Sequence, residues 1–367
     1  MTRRSLPGVL ALLIAGCATQ GPPSSSAGAT AEATSPTPAV AASATPSSSS
    51  PSATPSPVSL AWAPVDAPGP AAREDHTWTI DLGDGLAYLF GGRNGAAVFA
   101  DLWTYDLASD AWSQLSPPGG PPARFGHDAV WVDGIGLVIF AGQAGPTFFN
   151  DLWAYDPDSS TWRALLATGD LPVARYGSCA AIGPDERLWI SHGFTADQVR
   201  FSDTVAFDFE SNAWTDETPD AGARPVERCL HGCWWTDDGE LALYAGQTTG
   251  ATAIGDRWTF DGDAWTRVEG DVPPHRNLYA RTRLDGATLV FGGQAVDSSF
   301  LADLWLLADG VIDAEPLSAD VAGPSGRAGA EMISDTDRDR VLLFGGRDDS
   351  GAYAEVWELS GTIVEGG

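Results

Sequence analysis

Leu86-Ala-Tyr-Leu-Phe-Gly-Gly92 is followed by Asp101-Leu-Trp-Thr-Tyr-Asp106 and then by Trp112. The same order of features recurs five times. Phe140-Ala-Gly142 leads to Asp151-Leu-Trp-Ala-Tyr-Asp156 and Trp162, and Ser191-His-Gly193 leads to Asp203-Thr-Val-Ala-Phe-Asp208 and Trp214. Tyr244-Ala-Gly246 leads to Asp256-Arg-Trp-Thr-Phe-Asp261 and Trp265. Phe291-Gly-Gly293 leads to Asp303-Leu-Trp305, and Phe344-Gly-Gly346 to Glu355-Val-Trp357. Each unit opens on an arginine: Arg73, Arg124, Arg175, Arg228, Arg276 and Arg327, at intervals of 51, 51, 53, 48 and 51 residues. Self-similarity at a fixed period near fifty residues is the mark of a repeat array.

Within a unit the strands read directly. The first follows the arginine, as in His127-Asp-Ala-Val-Trp-Val132, and Asp-Gly turns such as Asp133-Gly134 join it to the second. The second strand is apolar almost throughout, as a strand buried on both faces must be. In the third, Leu102 and Thr104 alternate with Trp103 and Tyr105. Turns rich in Asp, Ser and Asn lead to a fourth strand at the spaced Trp.

The motif set resembles the kelch-repeat family over residues 60 to 367: an apolar run ending in glycine, an acidic residue opening a D-L-W-x-Y-D-like strand, and a spaced Trp. The resemblance implies an all-β fold, a six-bladed β-propeller of four-stranded antiparallel blades. That family includes binding scaffolds and a few enzymes, so the fold leaves the function open. Leu60-Ala-Trp62-Ala-Pro-Val65 matches Asp110-Ala-Trp112-Ser-Gln-Leu115, a fourth strand without its first three. It is expected to close the ring by joining the last blade, which removes exposed sheet edges. The rival closing strand is Thr362-Ile-Val364. Ten Trp at repeat positions read as packing between blades; in blade five Ile312 stands in that place.

The chain has 367 residues, a net charge of −29 and 20 basic residues, all of them Arg. Such a surface repels phosphate backbones and argues against nucleic-acid binding. Residues 1–16 read as a lipoprotein signal peptide: Arg3-Arg4, an apolar core Val9–Ile14 too short to span a bilayer, and Ile14-Ala-Gly-Cys17, which resembles the bacterial lipobox. The resemblance implies lipidation at Cys17, so the membrane is contacted through a lipid anchor only. Residues 17–59 are almost all Ala, Ser, Thr, Pro and Gly and read as a disordered tether. The expected product is an exported protein whose monomeric propeller, residues 60–367, lies outside the cytoplasm.

Candidate chemistry gathers on the face that carries the opening arginines and the loops between second and third strands. Arg93, Gln143, Phe194, Gln247, Gln294 and Arg347 follow the glycines directly. Arg93, Gln143, Gln247, Gln294 and Arg347 form a possible ligand-binding ring at the channel mouth, since Arg suits carboxylate recognition. The six opening arginines read instead as structural partners of Asp101, Asp151, Asp203, Asp256, Asp303 and Glu355. Cys179 and Cys233 fall on adjacent inner strands and are the favoured disulfide, with Cys179–Cys229 next. Cys229, His231 and Cys233 alternate but stretch along one strand too far to wrap one ion, so no metal site or cofactor is assigned. Asp335-Thr-Asp-Arg-Asp339 lacks the glycine and distal glutamate of a calcium loop and reads as a solvated turn. No nucleophile–base pair stands out, and no catalytic residue is assigned. These features point to a module that binds a protein or glycan partner at the cell envelope. The alternative is an enzyme on acidic sugars with its site at the mouth, as in the kelch proteins that isomerise sialic acids.

Overall fold

The computed structural model describes residues 60–220 and 222–361. The expectations for Cys17, the tether and the Thr362–Val364 strand fall outside them. The described residues form six antiparallel sheets arranged as blades. Blade one runs Thr77–Asp81, Leu86–Phe90, Leu102–Asp106 and Ala111–Leu115, from the channel outward. Blades two to five repeat this order, with inner strands Asp128–Val132, Cys179–Ile182, Gly232–Trp235 and Ala280–Leu284. Blade six takes Ala328–Asp335, Arg340–Asp348 and Val356–Ser360 from its own repeat.

Its fourth strand is Leu60–Val65, which pairs antiparallel with Val356–Ser360 from Ala61↔Ser360 to Val65↔Val356. Trp62 then does in blade six what the spaced Trp does elsewhere. It packs at 5.4 Å from the Phe291 ring of blade five. Its indole also lies over Gly323, where a Cβ would come within 2.3 Å of the ring. Trp112 covers Gly69 and Ile312 covers Gly270 in the same way, so Ile312 fills the Trp position of blade five. Arg340 reinforces the closure. It pairs with Asp335 and Glu358 inside blade six, reaches Asp110 of blade one at 2.9 Å, and donates to the Leu107 carbonyl. In the stretch read as a solvated turn, residues 336–339 are exposed as expected, whereas Asp335 is fully buried and accepts from Arg338 and Arg340.

The apolar second strands supply the core. Leu137, Ile139 and Phe140 are buried, as are Leu241–Ala245 and Val341–Phe344, and the clusters they join lie between neighbouring blades. Blades three and four are also joined covalently by the Cys179–Cys233 disulfide, with Cα atoms 5.7 Å apart. Cys229 is a free, buried thiol.

Candidate functional site

The six opening arginines are built into the blades. Arg73 sends Nη1 and Nη2 to the two carboxylate oxygens of Asp101 at 2.7 and 2.8 Å, Nη1 also to the Gly91 carbonyl at 2.8 Å, and Nε to the Ala71 carbonyl at 3.0 Å. Arg124, Arg175, Arg228 and Arg276 repeat this clasp on Asp151, Asp203, Asp256 and Asp303. Arg327 makes a single bond to Glu355. All six arginines are at most 1% exposed. The aromatic residue two places before the acid covers the guanidinium in four blades: Phe99, Phe149, Phe201 and Tyr353 lie 4.1–4.5 Å from it.

The Trp of the third strand has a second role beside packing. Trp103, Trp153, Trp258 and Trp305 each donate Nε1 at 2.7 Å to the acid two residues earlier. Burial alone would raise the carboxyl of Asp101, but the N–H groups of Arg73 and Trp103 outweigh it and hold the pKa below the usual range. The Asp-x-Trp spacing was visible in the sequence as a signal for this bond.

The glycines explain the Phe-Gly-Gly run. The first position has positive φ in every blade, but Ala141, His192 and Ala245 tolerate it. The second position is glycine in all six: a Cβ on Gly92 would stand 2.9 Å from the Glu74 carbonyl oxygen.

Two residues after each opening arginine, the backbone forms a closed belt around the channel. The N–H of Asp75 donates to Gly329 O, Gly126 to Asp75, Gly177 to Gly126, Leu230 to Gly177, Leu278 to Leu230 and Gly329 to Leu278, at 2.7–3.1 Å. All six residues have φ between 53° and 67°. Left-handed backbone turns each N–H to the next blade instead of its own sheet. Gly126 also accommodates the ring of Tyr176, which a Cβ would meet at 1.9 Å. This belt was not read from the sequence, where Asp, Leu and Gly at one repeat position show no shared type.

The mouth residues sit on the outer side of this belt. Arg93 pairs with Asp75 at 2.9 Å and Glu74 at 3.4 Å and stacks on Phe125. Arg347 donates from Nε to Glu74 and lies 5.3 Å from the Phe300 ring. Arg93 and Arg347 therefore converge on Glu74 across the junction of blades one and six. Burial, together with Asp75, pushes Glu74 up to about 7, although both guanidinium groups pull it down. The glutamines do not join this cluster. Gln143 donates to the Gly145 carbonyl and Gln294 to that of Ser298, each inside its own loop. Gln247 accepts from Arg200. His76, His127 and His231 point between blades and are buried, and burial lowers each well below the ordinary imidazole pKa.

Six four-stranded blades, each clasped by an arginine and an acid from its own repeat, define a kelch-type β-propeller. The chain belongs to the kelch-repeat family: residues 56–246 match the KLHDC2/KLHL20/DRC7 Kelch-repeats domain. It is 27% identical over 297 residues to the leucine-zipper-like transcriptional regulator 1 homolog of Drosophila melanogaster, which covers 76% of this chain and 24% of that protein. The human leucine-zipper-like transcriptional regulator 1 is 30% identical over 254 residues, or 63% of this chain and 29% of its own. The tRNA wybutosine-synthesizing protein 4 of Emericella nidulans is 28% identical over 211 residues, covering 52% of this chain and 19% of its own. The matched part thus spans less than a third of each relative. The kelch propeller is a protein-interaction fold.

Proposed function

We propose that the protein is an exported, lipid-anchored propeller that binds a protein or glycan partner at the cell envelope through its mouth face. The observation that carries this reading is the paired state of the mouth arginines. Arg93 is held by Glu74 and Asp75, and Arg347 by Glu74, each beside an aromatic ring. A cluster of paired arginines backed by Phe125 and Phe300 supports recognition of a partner surface, where aromatic and Arg anchors carry most of the binding energy. The enzyme alternative on acidic sugars asks these same two arginines to be free for a substrate carboxylate. The export and anchoring part rests on Arg3-Arg4, the short apolar core and Cys17, and the monomeric state on ring closure.

Photo-crosslinking on intact cells tests the reading. A crosslinker at Asn94 or Asp349, on the mouth face, is expected to give a discrete adduct that is absent with the crosslinker at Asp158 on the opposite face. Equal labelling from both faces, or none from the mouth, would sink it. Incorporation of an alkyne-bearing fatty acid, lost in Cys17→Ser, is the expected sign of the anchor, and an unlabelled parent protein would remove that part.

A further inference from the structure

Inside the belt the channel continues as a polar chamber of about 130 Å³. It widens into a second space of about 480 Å³ walled by Trp78, Ile80, Ile182, Trp235 and Met332. Leu82 at its far rim is 47% exposed. The chamber is therefore entered from the face of the first-to-second-strand turns, opposite Arg93 and Arg347.

Three carboxyl groups line the inner chamber from three blades: Asp75, Asp128 and Glu331. Arg281 of blade five shares it with them. Asp128 accepts from Ser178 Oγ. Among the described residues, neither Glu331 nor Arg281 makes a side-chain hydrogen bond or ion pair, though Glu331 feels the charge of Arg281. A second observation is independent of this count. Asp75 is only 6% exposed; its Oδ2 holds Arg93, but its Oδ1 is buried with no hydrogen-bond partner. An orphaned buried carboxylate oxygen is costly unless something fills its hydrogen-bonding capacity.

We propose that this chamber is a binding site for a small organic cation, an alkylguanidinium group that enters head first from the face opposite the mouth. The inner volume equals the share of about four liquid waters, which suits a guanidinium head. The wider space is mostly apolar and aromatic, which suits an alkyl stem; Arg283 also reaches it but is paired with Asp237 and Asp309. Among the described residues no group of His, Cys, Asp and Glu converges closely enough to hold a metal ion. Carboxyls spread over three blades fit a planar cation whose N–H donors fan outward.

Protonation supports the same assignment. Burial, with Asp75 and Asp128 adding to it and Arg281 opposing, pushes Glu331 up to about 8. Burial raises Asp128 to about 6 against Ser178, Arg281 and Arg175. The other titratable groups lining the chamber are His76, His127 and His231, which burial keeps neutral, and Tyr279, raised by burial to about 12. At neutral pH Glu331 therefore carries a proton that an entering cation displaces. Binding releases that proton and tightens as pH rises toward 8.

The test is calorimetric titration of the purified full-length chain with n-butylguanidinium chloride, at constant ionic strength, in two buffers of different ionisation enthalpy. The expected result is saturable binding with proton release, weakened about tenfold or more in Glu331→Gln. Glu331→Gln keeps the uncharged state that burial already favours, so it is expected to fold. Arg281→Met removes the lumenal cation and is expected to bind more tightly than the parent. The site is overturned by an absence of saturable binding up to about 10 mM, by parental affinity in Glu331→Gln, or by an equal response to CaCl2. A short peptide with a single arginine serves as the second ligand. Tighter binding of the peptide would assign the cation to a partner's side chain, and tighter binding of n-butylguanidinium to a free metabolite; either supports the chamber as a guanidinium site.

Discussion

Trp62 stands opposite Leu359 in the antiparallel register that closes the ring, so the fourth strand of the last blade comes from the residues that precede the first. Both side chains belong to one buried cluster shared by blades five and six. Trp62→Ala is expected to leave a cavity and cost about 3–5 kcal/mol. Urea unfolding followed by far-UV circular dichroism would measure it. A cost below about 1 kcal/mol would mean that another strand closes the blade.

The arginine–acid clasp makes a different demand. Arg73 is fully buried and the side chain of Asp101 is 20% exposed. Removing only the guanidinium leaves the Gly91 carbonyl without its side-chain donor and the Asp101 carboxylate without its counter-charge, held only by Trp103 Nε1. Arg73→Met is expected to cost about 3–5 kcal/mol. The double variant Arg73→Met/Asp101→Leu is expected to recover a large part of that, because it strands no buried charge. A double-mutant cycle on thermal midpoints checks this, and simple additivity would contradict it.

Cys179 and Cys233 tie two inner strands across a separation of 54 residues. A closed loop of that length restricts the unfolded chain, so Cys179→Ala/Cys233→Ala is expected to cost about 2–4 kcal/mol. Parent protein treated with a reductant under unfolding conditions is expected to match the double variant. Parental stability in the variant would show that the bond does nothing for the fold.

The blades were legible in the sequence because each rests on local patterns repeated six times. Arg73 with Asp101, and Leu60–Val65 with the outer strand at Trp112, could be matched by position alone. The chemistry of the mouth was less legible. Arg93 and Arg347 meet because Glu74, one residue after an opening arginine, faces both; the equivalent residues Phe125, Tyr176, Cys229, Asn277 and Ala328 carry no such signal. Gln143 and Gln294 turn into their own loops for carbonyl partners that only the loop geometry supplies. The belt depends on backbone angles, which Asp75, Leu230 and Leu278 share with three glycines without sharing side-chain chemistry.

The pH dependence of stability follows from Glu331. Its folded pKa, about 8, lies above the ordinary value of 4.5. Below pH 4.5 the group is protonated in both states and contributes no difference. As pH rises from 4.5 to 8 the unfolded chain loses the proton first, so the group progressively destabilises the fold, and the full cost is present above 8. His76, His127, His192 and His231 act in the opposite sense below about pH 6.5, since the unfolded chain protonates them and the fold does not. That contribution cancels when the parent is compared with Glu331→Gln. The difference in unfolding free energy between the two is expected to be near zero at about pH 4.5. It should grow in favour of Glu331→Gln to on the order of 2–4 kcal/mol by about pH 8.5. Paired urea titrations across this range would measure it. A difference that stays constant with pH would show that Glu331 is solvated in the channel and titrates as an ordinary carboxyl.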